Sequence, residues 1–405
     1  MLRSLFSGIS GLRAHQQMMD VTGNNISNVN TTGYKSSQTV FQDTLSQMVN
    51  AAGAPQNGSG GTNPAQVGLG VRTASVNANF SQGAAQTTGK AGDMMIQGDG
   101  FFITKSGGET VYTRAGSFTF DANGSLTTPN GQIVQGWSAD TNGVVNTAGA
   151  PGDIKLPIGI SLAPEQTTAF TLTGNLSYEA PVGATSAKTI PIPTIDANGQ
   201  SGTLEVVLTK AAPIAGVEQW TITMPNVLPA VPAQTIPFPG GRAQGTLVAG
   251  VDTGKITMNG YEIDIHDLTT YAGNTEARVS ASDGSAAGIL NSYTVSNTGQ
   301  IVGVFSNGLK QTLGQLALAN FNNVNGLEKI GDSMFRSTVN SGLAQVGSAG
   351  SAGLGLITSG ALEMSNVDLA QEFTNLVIAQ RGFQANSRII TTSDEILQEL
   401  VNLKR

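Results

Sequence analysis

All 15 prolines of this chain lie between Pro55 and Pro239, and 12 of them fall between Pro151 and Pro239. Proline lacks an amide donor and fixes φ, so it breaks helix interiors and central strands. The two ends are therefore free to form long regular elements, and the middle reads as a separate, loop-edged β module. Both ends show a heptad. Leu2, Ile9 and Gln16 occupy one position near the start, and Leu5, Leu12, Met19 and Ile26 the other. This 3-4 spacing makes one apolar stripe suited to a partner helix. The helix should stop near Asn28–Gly33, where Asn, Thr and Gly cluster.

At the far end Leu362, Leu369, Leu376, Phe383, Ile390 and Leu397 repeat the heptad, with a second row at Ile389, Ile396 and Leu403. Ser365-Asn-Val-Asp368 supplies a capping-box start. About 40 helical residues would extend roughly 60 Å. Periodicity alone fits either a terminal helix packed on its own chain or an intersubunit coiled coil.

Between the ends the period is two. Phe118 and Phe120 alternate with Ser117 and Thr119, and Tyr261, Ile263 and Ile265 alternate with Glu262, Asp264 and His266. Asn130-Gly131 marks a hairpin, and Asp121-Ala-Asn-Gly124, Asp140-Thr-Asn-Gly143 and Asp196-Ala-Asn-Gly199 repeat one turn signal. The glycine-rich stretch 340–360 reads as a flexible connection into the last helix.

Composition narrows the function. Charged residues make up 12% of the chain, against about 25% for an average domain. The net charge of −7 disfavours phosphate-backbone binding, so no nucleic-acid partner is expected. No cysteine is present, and His15 and His266 are the two histidines, which excludes cysteine sites and multi-histidine metal clusters. Gly83 to Ala91 imitates a phosphate loop, but five residues separate its glycines and Ala91 replaces the magnesium-binding hydroxyl. Glu262, Asp264 and His266 have ligand chemistry, but alternation alone gives a half-exposed strand the same polar face, and that reading is favoured. No stretch has about 20 predominantly apolar residues, so no membrane insertion is expected, and no cleavable leader is visible.

Several blocks carry a resemblance. Asn24-Asn-Ile-Ser-Asn-Val-Asn-Thr-Thr-Gly-Tyr-Lys35 resembles the N-terminal signature of bacterial flagellar rod and hook proteins. Gly98-Asp-Gly-Phe-Phe102, Tyr112-Thr-Arg-Ala-Gly-Ser-Phe118 and Gly314-Gln-Leu-Ala-Leu-Ala-Asn-Phe321 are similar to the two halves of their shared β domain. Ser365-Asn-Val-Asp-Leu-Ala-Gln-Glu-Phe373 and Ala379-Gln-Arg-Gly-Phe-Gln-Ala-Asn386 resemble the family's C-terminal helix. The insert between the β halves, together with Thr171-Leu-Thr-Gly-Asn-Leu176, is similar to hook members. Distal rod proteins, typically much shorter, are the alternative.

The resemblance implies a multidomain fold. A long α-helical coiled-coil terminal domain is formed by both chain ends, with two nested mainly-β domains between them. The expected parts are an N-terminal helix (1–30), a linker and extended β region (31–88), and the first half of an inner β domain (89–151). An inserted outer β domain (152–283) follows. The second inner half (284–339), the glycine-rich connection (340–361) and the C-terminal helix (362–405) complete the chain.

The implied role is a structural subunit, not an enzyme, and needs no cofactor. It polymerises into the curved, hollow hook, a flexible universal joint between rod and filament. Implied partners are further copies, the rod, hook cap, hook–filament junction and hook-length control proteins, and the flagellar type III export apparatus. Self-assembly is expected to use Leu2, Leu5, Ile9, Leu12, Met19, Ile26, Leu369, Leu376, Phe383, Ile390 and Leu397. The resemblance singles out Asn24, Asn25, Asn28, Asn30, Gly33, Tyr34, Gln380 and Arg381 as signature residues. The competing class is a secreted β-rich carbohydrate-binding protein or hydrolase; its support, many Thr, Asn and Gly with few charges, is generic.

Overall fold

The computed structural model of the protein describes residues 2–55, 60–140, 142–156, 161–226, 232–245, 247–248 and 251–402. They divide into two compact units: residues 1–158, 293–303 and 311–405, and residues 159–292 with 304–310.

The first unit holds both helices, α1 (Leu2–Ser27) and α2 (Leu369–Asn402), which pack together. α1 ends where Asn28 and Thr31 turn the chain: the Asn28 side chain donates to the Asn24 carbonyl at 2.9 Å and accepts from the Thr31 hydroxyl at 3.0 Å. α2 begins later than its heptad suggests. Leu362 lies in the strand Ala361–Glu363, paired with Ala85–Thr87, and all three of its residues are buried. Spacing alone placed Leu362 in register; a segment buried on both faces has no helical stripe. Asp368, not Ser365, is the cap, with its Oδ1 accepting from the N–H groups of Ala370 at 2.9 Å and Gln371 at 3.3 Å.

The stretch expected to be a flexible connection is likewise built into sheets. Gln345–Ser348 pairs with Lys310–Asn320, and Leu356–Ser359 pairs with Met94–Gln97. Glycine serves close approach here: a Cβ on Gly355 would stand 2.3 Å from the Gln97 carbonyl oxygen.

The main sheet of this unit joins residues from both sides of the insert. Phe101–Ser106 pairs with Glu109–Thr113, with Ile133–Ser138, and with Lys310–Asn320, placing Phe102 opposite Leu318. Phe101, Tyr112, Phe321 and Phe335 fill its core. Two antiparallel ribbons, Ser37–Asp43 with Val71–Ala78 and Ser46–Asn50 with Ala65–Gly68, follow the signature. The three Asp-x-Asn-Gly turns share one geometry. In each, the aspartate Oδ1 accepts two backbone N–H groups and the glycine N–H returns to the aspartate carbonyl at 3.0 Å.

The second unit contains two four-stranded sheets feeding one hydrophobic cluster. One is the antiparallel series Gly183–Ile195, Ser201–Ile214, Val217–Thr223 and Gln234–Phe238. The other runs in the order Lys255–Met258, Tyr261–Thr269, Ala169–Asn175 and Arg278–Ser282, its middle pair parallel. Trp220 is fully buried at the centre of the cluster. Ile263 and Ile265 point into it, while Glu262 and His266 face solvent and Glu262 holds Lys255 at 2.6 Å. Among the described residues Gly183–Ile195 pairs with one strand, Ser201–Ile214; Pro191 and Pro193 are exposed on it, and Ile190 and Ile192 are buried.

Candidate assembly site at the chain ends

The contact between α1 and α2 uses small residues. On α1 the side facing α2 includes Gly8, Gly11, His15, Thr22 and Asn25; on α2 it includes Ala379, Gly382, Asn386 and Ser393. A Cβ on Gly11 would stand 2.7 Å from Asn386 Nδ2, and one on Gly382 would stand 2.5 Å from the His15 ring. Glycine at these positions leaves room between the helices for the Asn386 and His15 side chains.

Buried Gly8, Gly11 and Asn25 each precede an expected seam residue, Ile9, Leu12 and Ile26, by one position, whereas buried Ala14 and Thr22 do not. Leu5, Ile9, Leu12, Met19 and Ile26 are half-buried beside the contact. On α2, Leu376, Phe383, Ile390 and Leu397 are half-buried and Leu369 is exposed. The Leu2 side chain and Leu403 lie outside the described residues. At 3.6 residues per turn, Ile378, Ile389 and Ile396 line one flank of the α2 contact stripe, Leu369 lies toward the other, and Phe373 and Val377 fall on the face turned away from it. All six are exposed, Val377 and Ile378 at 54%. Phe6 on α1 is 63% exposed.

Below the helices the two ends are tied by hydrogen bonds across hundreds of residues. Asn25 uses its whole side-chain amide: Oδ1 accepts from Ser37 N–H at 2.9 Å and the Tyr34 hydroxyl at 3.2 Å, and Nδ2 donates to Ser37 O at 2.8 Å and Glu372 Oε1 at 3.0 Å. Asn24 Nδ2 donates to the Tyr34 hydroxyl at 3.2 Å. Asn366 accepts from Ser36 N–H at 2.8 Å and donates to Asn79 O at 2.7 Å.

Glu363 is the centre of the junction. Its carbonyl accepts from Gly33 N–H at 2.8 Å, and its Oε1 accepts from Lys35 Nζ at 2.6 Å and Gly83 N–H at 2.9 Å. Arg114 NH1 lies 3.5 Å from Oε2, with the guanidinium over the Phe101 ring at 5.3 Å. The Lys35, Arg114 and Glu363 side chains are 1%, 3% and 0% exposed. Burial lowers the Lys35 pKa, opposed by its bond to Glu363 and aided by the Arg114 charge. Burial lowers that of Arg114 too, against the pull of Glu363 and Asp99. Lys329 stands 3.9 Å from the Tyr34 ring centroid, and burial lowers its pKa as well.

Of the signature residues, Asn24, Asn25, Gly33 and Tyr34 meet at this junction. Asn28 caps α1, Asn30 is exposed, and Gln380 and Arg381 are exposed on α2, where Arg381 donates to Gln384 at 3.4 Å. Sequence reasoning missed Glu363, Arg114 and Asn366, which no period marks. The signal for the helix contact was present in Gly8, Gly11 and Gly382, since glycine inside a helical pattern calls for a packing reason.

Tyr34 gives the junction a pH signature. Burial raises its pKa above the ordinary 10.0, with the Glu372 charge adding to the effect. The folded state then keeps this proton longer than the unfolded state. Its contribution is present below pH 10.0 and is lost as pH rises through the folded value. The urea midpoint of the native protein should fall more steeply across this range than that of Tyr34→Phe. Parallel slopes would rule Tyr34 out.

Comparison with known proteins bears on the same parts of the chain. Residues 5–35 match the family model described as flagella basal body rod protein. Residues 95–178 match the flagellar hook protein FlgE/F/G D1 domain, and residues 358–403 the flagellar basal body rod FlgEFG protein C-terminal region. The flagellar hook protein FlgE of Borreliella burgdorferi is 39% identical, with all of both chains covered. The chain belongs to the flagellar hook protein family. The FlgE of Escherichia coli is 34% identical over 98% of each chain, and the basal-body rod protein FlgG of Bacillus subtilis is 32% identical over all of both. The flagellar hook protein FlgE2 of Helicobacter pylori shares the fold, at a TM-score of 0.51 and 13% identity over 69% of this chain and 100% of that one. Membership of the hook protein family makes this a structural protein of the flagellum. No described helix is long and apolar enough to cross a membrane.

Proposed function

We propose that this hook-family chain polymerises through its terminal helices, in coiled-coil fashion, into the wall of a curved hollow tube that acts as the universal joint between rod and filament. The carrying observation is the division of each helix surface. Small residues face the partner helix of the same chain, and rows of larger apolar residues are left for other copies. Fully burying one such side chain is worth about 1.5–3 kcal/mol, so a few rows repeated along helices about 40–50 Å long suffice to drive assembly. The rod, cap, junction and length-control proteins, and type III export, belong to this reading through the family.

Ile378→Asp tests it. Ile378 is exposed in the single chain, so the monomer's melting should be unchanged within about 0.5 kcal/mol. In the tube the carboxylate would be buried without a partner, at a cost of about 3 kcal/mol or more per subunit. Negative-stain images should then show no tubes. Tubes of normal length from this variant, and from Val377→Asp, would count against the helices as the polymerisation surface.

A further inference from the structure

We infer that Lys35, Arg114 and Glu363 form a clasp that makes docking of the N-terminal signature conditional on arrival of the C-terminal strand. Two cations share one carboxylate, and all three side chains are almost fully enclosed. Lys35 and Glu363 are 328 residues apart in sequence. Before the strand Ala361–Glu363 pairs with Ala85–Thr87, a docked Lys35 would face Arg114 without the carboxylate that bridges them, leaving Asp99 as the acidic group acting on Arg114. Like charges removed from water repel strongly, and each also loses its hydration. The signature therefore stays undocked until Glu363 is in place.

Once it is, one residue closes several contacts together. Glu363 engages Gly33 by its carbonyl, and Lys35, Gly83 and Arg114 by its carboxylate. Neighbouring Asn366 then fixes Ser36, and Glu372 fixes Asn25. α1 gains its seat only on a chain whose other end has folded. The clasp itself concerns the single chain; only its consequence, that an incomplete fold is not competent to assemble, rests on the proposed assembly role.

The test is site-resolved hydrogen exchange on the full chain. Gly33 and Ser36 donate across the junction to Glu363 and Asn366, and Ser37 donates to Asn25, which Glu372 holds from the other side. In Glu363→Gln their amides should exchange on the order of 100-fold faster, while amides in Phe101–Ser106 keep their protection. Adding Lys35→Met removes the repelled cation and should restore most of the protection. A purely packing role predicts the opposite, since the second substitution would add damage. No gain in exchange in Glu363→Gln, no rescue in the double variant, or equal acceleration in Phe101–Ser106 would each overturn the clasp. If Glu363→Gln does not fold, the double variant decides: it folds with protected amides under the clasp and fails without it. Tube formation by the native chain, scored separately, reports on the assembly reading alone.

Discussion

Gly33→Ala should undock the N-terminal helix and lower stability by about 3 kcal/mol or more. Two effects add. Gly33 has φ +66, a left-handed conformation that costs an L residue roughly 1–2 kcal/mol. The new Cβ would also stand 2.5 Å from the Ala115 nitrogen and 2.8 Å from its Cα. Those are backbone atoms, held by the chain running into the buried Phe118, and they have no rotamer to change. Gly89→Ala separates the two effects. Gly89 has φ +71 with open space around its Cβ direction, so it should lose only the conformational part. Urea midpoints measure both. Equal losses in the two variants would mean that the approach of Gly33 to Ala115 contributes nothing.

The second large effect lies in the other unit. Trp220→Ala deletes the fully buried indole at the centre of the sandwich core. Large-to-small changes of this kind cost about 3–5 kcal/mol, because neighbours close the cavity only in part. For a unit of this size the melting temperature should fall by on the order of 10 °C. Calorimetry would locate the change in one transition, and amide protection along α1 should be unaltered below it. Loss of α1 protection alongside the sandwich would show that the two units unfold as one.

The sequence was most readable where one physical rule acted alone. Proline exclusion marked both helical ends, alternation marked Tyr261–Thr269, and asparagine-glycine chemistry marked three turns that share one geometry. The heptads found the helices but not the side on which they meet. Hydrophobicity points to Leu5, Ile9 and Leu12, whereas close packing within one chain needs Gly8 and Gly11, and the two signals sit one residue apart. Leu362 and the stretch 340–361 misled for a related reason. Spacing and glycine content do not tell a strand buried on both faces from a helix, or close packing from looseness. Glu363 left no trace at all. A lone buried carboxylate is defined by Lys35 and Arg114, which only the fold brings to it.

Pro191 and Pro193 carry a last consequence. They stand two residues apart on a strand with one ladder partner among the described residues, so the donors they lack would both point away from that partner. A second strand laid along that edge would find successive rungs missing, and no continuous ladder could form. Whatever touches the edge meets side chains, whose contacts break and reform singly. A ladder would lock a neighbouring strand in one register; this edge is unsuited to hold one that way.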